Sequence, residues 1–260
     1  MLRVSHLTVE YEGKPVVSDV SLQVEQGQIV SLVGESGSGK TTVLRTVFGI
    51  LPPTAVISHG EISLDDKQLL TFTPGQWRNM HGSDFSMIFQ DSGAMLNPIR
   101  RIGSQFDEYL HTHRKMTKQE ARLLEEDLLK KVCLKETKRV LRSYPFQLSG
   151  GMRQRVGIAM ALAFEPRLLL ADEPTSALDV TTQAQIVQQM LQMRNEFKMS
   201  ILLVTHNIGV AAYMSDHIIV MKDGKVVEEG NRDEILNHPK ADYTKALLDA
   251  VPILGGKRYV

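Results

Sequence analysis

Residues 34–41 read Gly-Glu-Ser-Gly-Ser-Gly-Lys-Thr, directly after an apolar, β-rich run at 28–33 and directly before a helical stretch at 40–49. No other feature restricts the fold of this chain so tightly. The string fits G-x-x-x-x-G-K-[ST]. Its glycines let successive backbone N–H groups turn toward one anion, and the helix that follows adds the partial positive charge of its N-terminus. Gly34, Glu35, Ser36, Gly37, Ser38, Gly39, Lys40 and Thr41, with Thr42 beside them, are therefore the candidate contacts for the phosphates of ATP. On this reading Lys40 reaches the β- and γ-phosphates and the Thr41 hydroxyl ligates Mg²⁺. The other reading is a plain glycine turn.

Further polar residues stand where apolar runs end. Leu168-Leu-Leu-Ala-Asp172-Glu173-Pro174 is a buried strand stopped by two acids. Open α/β sheets bind ligands at that end of their strands. Asp172 then holds Mg²⁺, directly or through water, and Glu173 polarises the attacking water as general base; alternatively the acids cap the helix that follows. His206 follows the run 201–204, where a donor meets the γ-phosphate, unless it is structural. Gln90 follows 85–89 and leads into a different kind of sequence, which makes it a candidate for the metal or water shell and for coupling. Tyr11 precedes Gly34 by 23 residues, where its ring stacks on adenine or is an ordinary strand aromatic.

A second anion site is written at 148–152, Leu-Ser-Gly-Gly-Met, followed by Arg153-Gln154-Arg155. A serine cap and two glycines open a helix there. The loop at 34–41 already holds one triphosphate, so Ser149, Gly150 and Gly151 need another. A head-to-tail dimer, each Ser149–Gly151 turn meeting the γ-phosphate of the other subunit, satisfies both; a capped helix alone is the plainer alternative.

Strands at 4–11 and 18–24, a hairpin edge at 60–64, helices at 151–164, 181–197 and 208–214, strands at 167–171 and 200–205, and a hairpin at 217–221 and 225–229 complete an alternating pattern. Such alternation predicts a mainly parallel α/β sheet. Residues 91–147 are rich in Lys, Glu, Leu and Arg, and read as an inserted helical subdomain. The predicted organisation is a core at 1–90, the insertion at 91–147, the core resumed at 148–236, and a tail at 237–260.

Thirty basic and thirty acidic residues cancel, so no field draws the chain to nucleic acid. Lys115, Lys118 and Arg122, interleaved with Glu120, Glu125 and Glu126, read as a solvated helix face. The single cysteine, Cys133, excludes an internal disulfide and an all-cysteine metal site. The longest nearly apolar stretch, 157–164, falls short of the roughly 20 residues that span a bilayer. A soluble, cytoplasmic protein that reaches a membrane only through a partner is the expectation.

Taken in order, Tyr11, Gly34–Thr41, Gln90, Leu148–Met152, Asp172-Glu173, Ser176-Ala177-Leu178-Asp179 and His206 resemble the ATP-binding subunits of ABC transporters over almost the whole chain. The resemblance implies a P-loop NTPase, RecA-like core with an antiparallel β subdomain and an inserted helical subdomain. It also implies that Asp179, counted with the nucleotide contacts, communicates across a dimer. The stretches 88–98, 149–156 and 237–247 are similar to the oligopeptide, dipeptide and nickel importer branch. That branch implies two integral-membrane permease subunits, a second ATPase subunit (a copy or a homologue), and indirectly an extracytoplasmic substrate-binding protein. Two departures stand out: Ser92 and Gly93-Ala94, where the branch commonly has Pro and Thr-Ser, expected beside the membrane-subunit groove. Many peptide importers of the branch also carry a cysteine-rich, iron–sulfur-binding tail, which this chain cannot form with Cys133 alone, so the shorter nickel or metal-complex type is favoured. The rival reading is a soluble ABC-type ATPase acting on DNA or the ribosome; with only 109 positions between Lys40 and Ser149 there is no room for the long coiled coil typical of the DNA enzymes.

Overall fold

The structure, a computed structural model, describes residues 1–176 and 178–250, and beyond them the backbone of Ile253–Leu254 and Lys257–Arg258. Ala177, quoted above within 176–179, lies outside the described residues. The first third of the chain forms β1 (Leu2–Tyr11), β2 (Lys14–Val24), β3 (Ile29–Val33), α1 (Lys40–Phe48), β4 (Ala55–Leu64), β5 (Lys67–Gln68) and α2 (Pro74–Met80). The middle forms β6 (Phe85–Ile88), α3 (Ile102–His113), α4 (Lys118–Lys131), α5 (Thr137–Arg142), α6 (Gly150–Ala161), β7 (Leu168–Asp172) and α7 (Val180–Phe197). The last part forms β8 (Ser200–Thr205), α8 (Ile208–Met214), β9 (His217–Lys222), β10 (Lys225–Asn231), α9 (Arg232–Asn237) and α10 (Asp242–Asp249). These elements group into two compact units, Met1–Arg78 with Ser200–Val260, and Asn79–Met199.

The first unit holds the predicted antiparallel edge, with β1 between β2 and β4 and β5 outermost. Along β1, Leu2, Val4, Leu7 and Val9 are buried. Their step changes from two to three at residue 6, because the antiparallel ladder shifts register there. A parallel set runs alongside in which β3 pairs with both β8 and β9, and β10 folds back antiparallel on β9. Every residue of β3 and β8 is buried, as expected of strands covered on both faces. Val33, Ile208, Ala211, Ile218, Val220, Ile235 and Leu248 form one cluster that anchors α8, α9 and α10 beside the end of β3. Each Val, Ile or Leu among them contributes about 1.5–3 kcal/mol when fully buried. The pattern of strands at 217–221 and 225–229 and of helices at 208–214 and 181–197 is realised within a residue or two at their starts and ends. α2, α9 and α10 add helices where no element was predicted.

In the second unit β6 and β7 are parallel partners, with Phe85 opposite Leu168 and Ile88 opposite Ala171. The helices α3, α4 and α5 fall within the insertion at 91–147. α4 starts with a capping box, Thr117 accepting from the Glu120 N–H and Glu120 reaching back to the Thr117 N–H. Its charged residues do not form a uniformly solvated face. Glu125 is buried, and burial pushes its carboxyl up from the ordinary value of 4.5 to about 7, although the Arg122 guanidinium, 3.5 Å away, works in the opposite sense. Asp107 on α3 raises it further, and Glu125 is buried where the charge pattern had assigned a solvated face. Ser92 also turns inward: it is buried, and its Oγ donates to the Phe89 carbonyl at 3.0 Å.

Candidate functional site

In the first unit the phosphate loop leaves β3 and is held open by its surroundings. A Cβ built on Gly34 would lie 2.1 Å from the Met221 carbonyl oxygen, which only glycine avoids. Gly39, with φ of 95°, ends the loop in the left-handed region, and a Cβ there would meet the Val16 carbonyl at 2.8 Å. The β9–β10 turn clamps the far side, Gly224 N–H donating to Ser38 O at 3.3 Å while its own carbonyl accepts from Ser18 N–H at 2.8 Å. Lys40 is buried at the centre. Its Nζ donates to Gly34 O at 2.8 Å, Glu35 O at 2.7 Å and Ser38 Oγ at 3.1 Å. A cation ringed by loop oxygens, at the start of α1, is an arrangement suited to a polyphosphate. Thr41 and Thr42 are half-buried on the first turn of α1.

His206 follows β8, whose last residue, Thr205, is in register with Val33, so the phosphate loop and His206 leave neighbouring strands at one level. His206 is exposed. Tyr11 closes β1, opposite Lys14 and Ala55, and is half-buried. A contact that sequence reasoning passed over comes from α10: the Tyr243 hydroxyl accepts from the Glu35 N–H at 3.0 Å, and Lys222 Nζ lies 4.8 Å from the ring centroid. Tyr243 stood out in the sequence only as part of a tail resemblance; nothing in its spacing pointed to the loop.

In the second unit, Ile88 and Ala171 are in register, so Gln90 and Glu173 also leave adjacent strands at one level. The Gln90 Nε2–H donates to Glu173 Oε2 at 3.3 Å. Asp172, the last residue of β7, is buried. Glu173 has φ of 45°, a left-handed conformation that costs a non-glycine residue roughly 1–2 kcal/mol. Its carbonyl takes the strain up into a turn, accepting from Ser176 N–H at 3.2 Å and Ser176 Oγ at 3.1 Å. The bent backbone turns the carboxylate out of the strand direction and toward Gln90.

α6 opens as predicted, Ser149 Oγ accepting from the Met152 N–H at 3.2 Å. Ser149 and Gly150 are exposed, so the first N–H groups of this 12-residue helix face outward. A Cβ on Gly151 would come within 3.0 Å of Leu178 Cδ2. Asp179 caps α7, accepting from the Thr182 N–H at 3.0 Å, and that bond holds its carboxyl below the usual carboxylate range. Within each unit the predicted residues therefore gather at strand and helix ends: Gly34–Thr42 and His206 in the first, Gln90, Asp172 and Glu173 in the second. Tyr11 stands apart on the antiparallel sheet. The sequence reading missed Gln154, which is buried on α6 beneath the exposed turn. Its signal was available: Gln154, Ile158 and Ala161 lie on one helical stripe, and a polar residue on a buried stripe needs partners.

The oxygen donors available for a metal are the Thr41 hydroxyl in the first unit and, in the second, the Gln90 amide and the Asp172 carboxylate. Oxygen ligands are what a small hard dication such as Mg²⁺ accepts, and within the second unit that donor pair fits the ion.

A sequence model of the ABC transporter family matches residues 17–176. The oligopeptide transport ATP-binding protein AppD of Bacillus subtilis (strain 168) is 41% identical over 262 residues, covering 99% of this chain and 80% of that protein. The metal-staphylopine import system ATP-binding protein CntD of Staphylococcus aureus (strain NCTC 8325 / PS 47) is 36% identical over 250 residues, covering 95% and 92%. Among solved structures, the dimeric post-hydrolysis state of the ATP-binding cassette MJ0796, bound to ADP and Pi, superposes with a TM-score of 0.80 at 30% identity, covering 89% of this chain and 99% of that one.

Proposed function

Because this chain belongs to the ABC transporter family, as one of its ATP-hydrolysing subunits, we propose that two such subunits close around two ATP molecules and drive uptake of short peptides or of nickel and other metal complexes. The second subunit is a copy of this chain or a close homologue. Two permease subunits carry the cargo through the membrane, the insertion at 91–147 meets them on the cytoplasmic face, and a binding protein outside supplies the cargo. Among the described residues no helix is long and apolar enough to cross a membrane. The cargo reading rests on relatives that are described as acting on oligopeptides and on metal–staphylopine complexes.

The observation that carries the sandwich is the exposed, glycine-opened N-terminus of α6. It is a second anion cradle in a chain that already has one. On closure Ser149, Gly150 and Gly151 meet the γ-phosphate held by the other subunit's loop, and Asp179 approaches the same junction. Phosphoryl transfer needs positioning and charge neutralisation more than covalent chemistry. Lys40 and the loop N–H groups cradle the phosphates, His206 donates to the γ-phosphate, and Tyr11 stacks on the base. Thr41, Asp172 and Gln90 would hold Mg²⁺, which would supply positive charge against the phosphates. Glu173, oriented by Gln90, accepts the proton of the attacking water. Loss of the γ-phosphate then removes the charge that both cradles share, and the subunits part.

Glu173→Gln tests the assignment. Hydrolysis should fall at least about a hundredfold, while light scattering at saturating ATP should report a stable dimer. Turnover within about tenfold of the native chain, equivalent to 1.4 kcal/mol, would overturn the general-base role. A monomer mass under the same conditions would overturn the sandwich.

A further inference from the structure

The Gln154 side chain is 2% exposed and makes three hydrogen bonds, each to a different backbone group. Its Oε1 accepts from the Ser92 N–H at 3.0 Å. Its Nε2 donates to the Phe89 carbonyl at 3.2 Å and to the Pro174 carbonyl at 3.1 Å. Phe89 and Ser92 flank Gln90, and Pro174 follows Glu173. One amide on α6 therefore ties together the two loops whose side chains meet in the Gln90–Glu173 bond. The amide has two donors and one acceptor oxygen, and this geometry employs all three kinds of site.

From this geometry we infer that Gln154 is a positioning residue which holds Gln90 against Glu173 and transmits to that pair the state of the Ser149–Gly151 turn. Gln154 lies one helical turn beyond Gly150, a rise of roughly 6 Å along a rigid rod. A phosphate seated on the exposed turn pulls on α6. Gln154 passes that displacement to Phe89, Ser92 and Pro174 together, so the Gln90–Glu173 contact tightens or slackens as a unit. In a sandwich, the turn reads the nucleotide of the other subunit while Glu173 acts on this subunit's own. Gln154 is thus the joint through which occupation of one ATP site sets the geometry of the other. Ser92 strengthens the link in this chain, because a proline at that position has no N–H to offer Gln154. The inference rests on reading Glu173 as general base and α6 as the second cradle.

The test is a double-mutant cycle on the full chain, with kcat for ATP hydrolysis and nucleotide affinity both measured. Gln154→Met keeps length and removes every hydrogen bond. It should lower kcat about tenfold (about 1.4 kcal/mol) and leave ATP affinity within about twofold, since the phosphate loop is intact. In a Gln90→Ala background the same substitution should cost less than about twofold, because the pair it positions is already gone. A purely structural glutamine would give losses that multiply in the double variant, and that result, or an unchanged kcat in Gln154→Met, overturns the inference. Gln154→Glu keeps shape and the acceptor but loses the donors to Phe89 and Pro174; run through the same cycle, it decides the matter if the methionine variant does not fold. Failure of the underlying base assignment appears separately, as a Glu173→Gln variant that still turns over ATP.

Discussion

Lys40 puts its ammonium where the loop around it needs a counter-charge, donating to Gly34 O, Glu35 O and Ser38 Oγ. Phosphate oxygens would replace those neutral acceptors with anionic ones, setting charge against charge. Lys40→Ala should accordingly weaken ATP binding at least about tenfold, a loss of about 1.4 kcal/mol, measured by calorimetry; unchanged affinity would remove Lys40 from the phosphate site. Lys40, Glu173 and Ser149 could be proposed from the sequence because Lys40 closes a glycine loop, Glu173 ends an apolar run and Ser149 opens a glycine turn. Their local geometry was not. The left-handed φ of Glu173 depends on the Ser176 turn, and no residue type in Asp-Glu-Pro announces it. Gln154 was quoted in the sequence as a letter of a motif, yet its partners at 89, 92 and 174 come from segments up to 65 residues away, which spacing along a helix cannot supply.

At the scale of elements, α4 shows what a charge pattern conceals. Burial pushes the Glu125 carboxyl up to about 7, so the folded state holds its proton more tightly than the unfolded chain does. The sign follows: this group's contribution is complete below about 4.5, declines as pH rises toward about 7, and is gone above that. Glu125→Gln, neutral at every pH, should raise the unfolding free energy at pH 8 by an amount on the order of 1–3 kcal/mol and change it little at pH 4. Unfolding followed by circular dichroism at both values checks this, and equal shifts at the two pH values would contradict it. The buried strands β3, β7 and β8 were legible as short apolar runs with abrupt ends. α2 and α9 were not, since each is short and exposes most of its residues, and α10 is short with only Thr244 and Leu248 buried, leaving little apolar period to read. α9 nonetheless carried a usable signal in its capping box, Asn231 with Glu234.

For the whole molecule, assembly is the property that the proposed role of the α6 terminus concerns. Ser149→Arg leaves the phosphate loop untouched and places a long side chain on the exposed turn. ATP affinity per chain should stay within about twofold, well under 1.4 kcal/mol, while ATP-dependent dimerisation disappears in analytical ultracentrifugation; dimers of native stability would refute the arrangement. Family and fold class were legible from the order of motifs alone, because each motif marks a strand or helix end. The contact between Tyr243 and the Glu35 N–H was hidden, being a meeting of residues 208 positions apart. That contact carries a practical warning for anyone handling the protein. An affinity tag, a fluorophore or a truncation placed near α10 is attached, through one phenol, to the nucleotide's own cradle, and labels there would report on, and disturb, the event they are meant to watch.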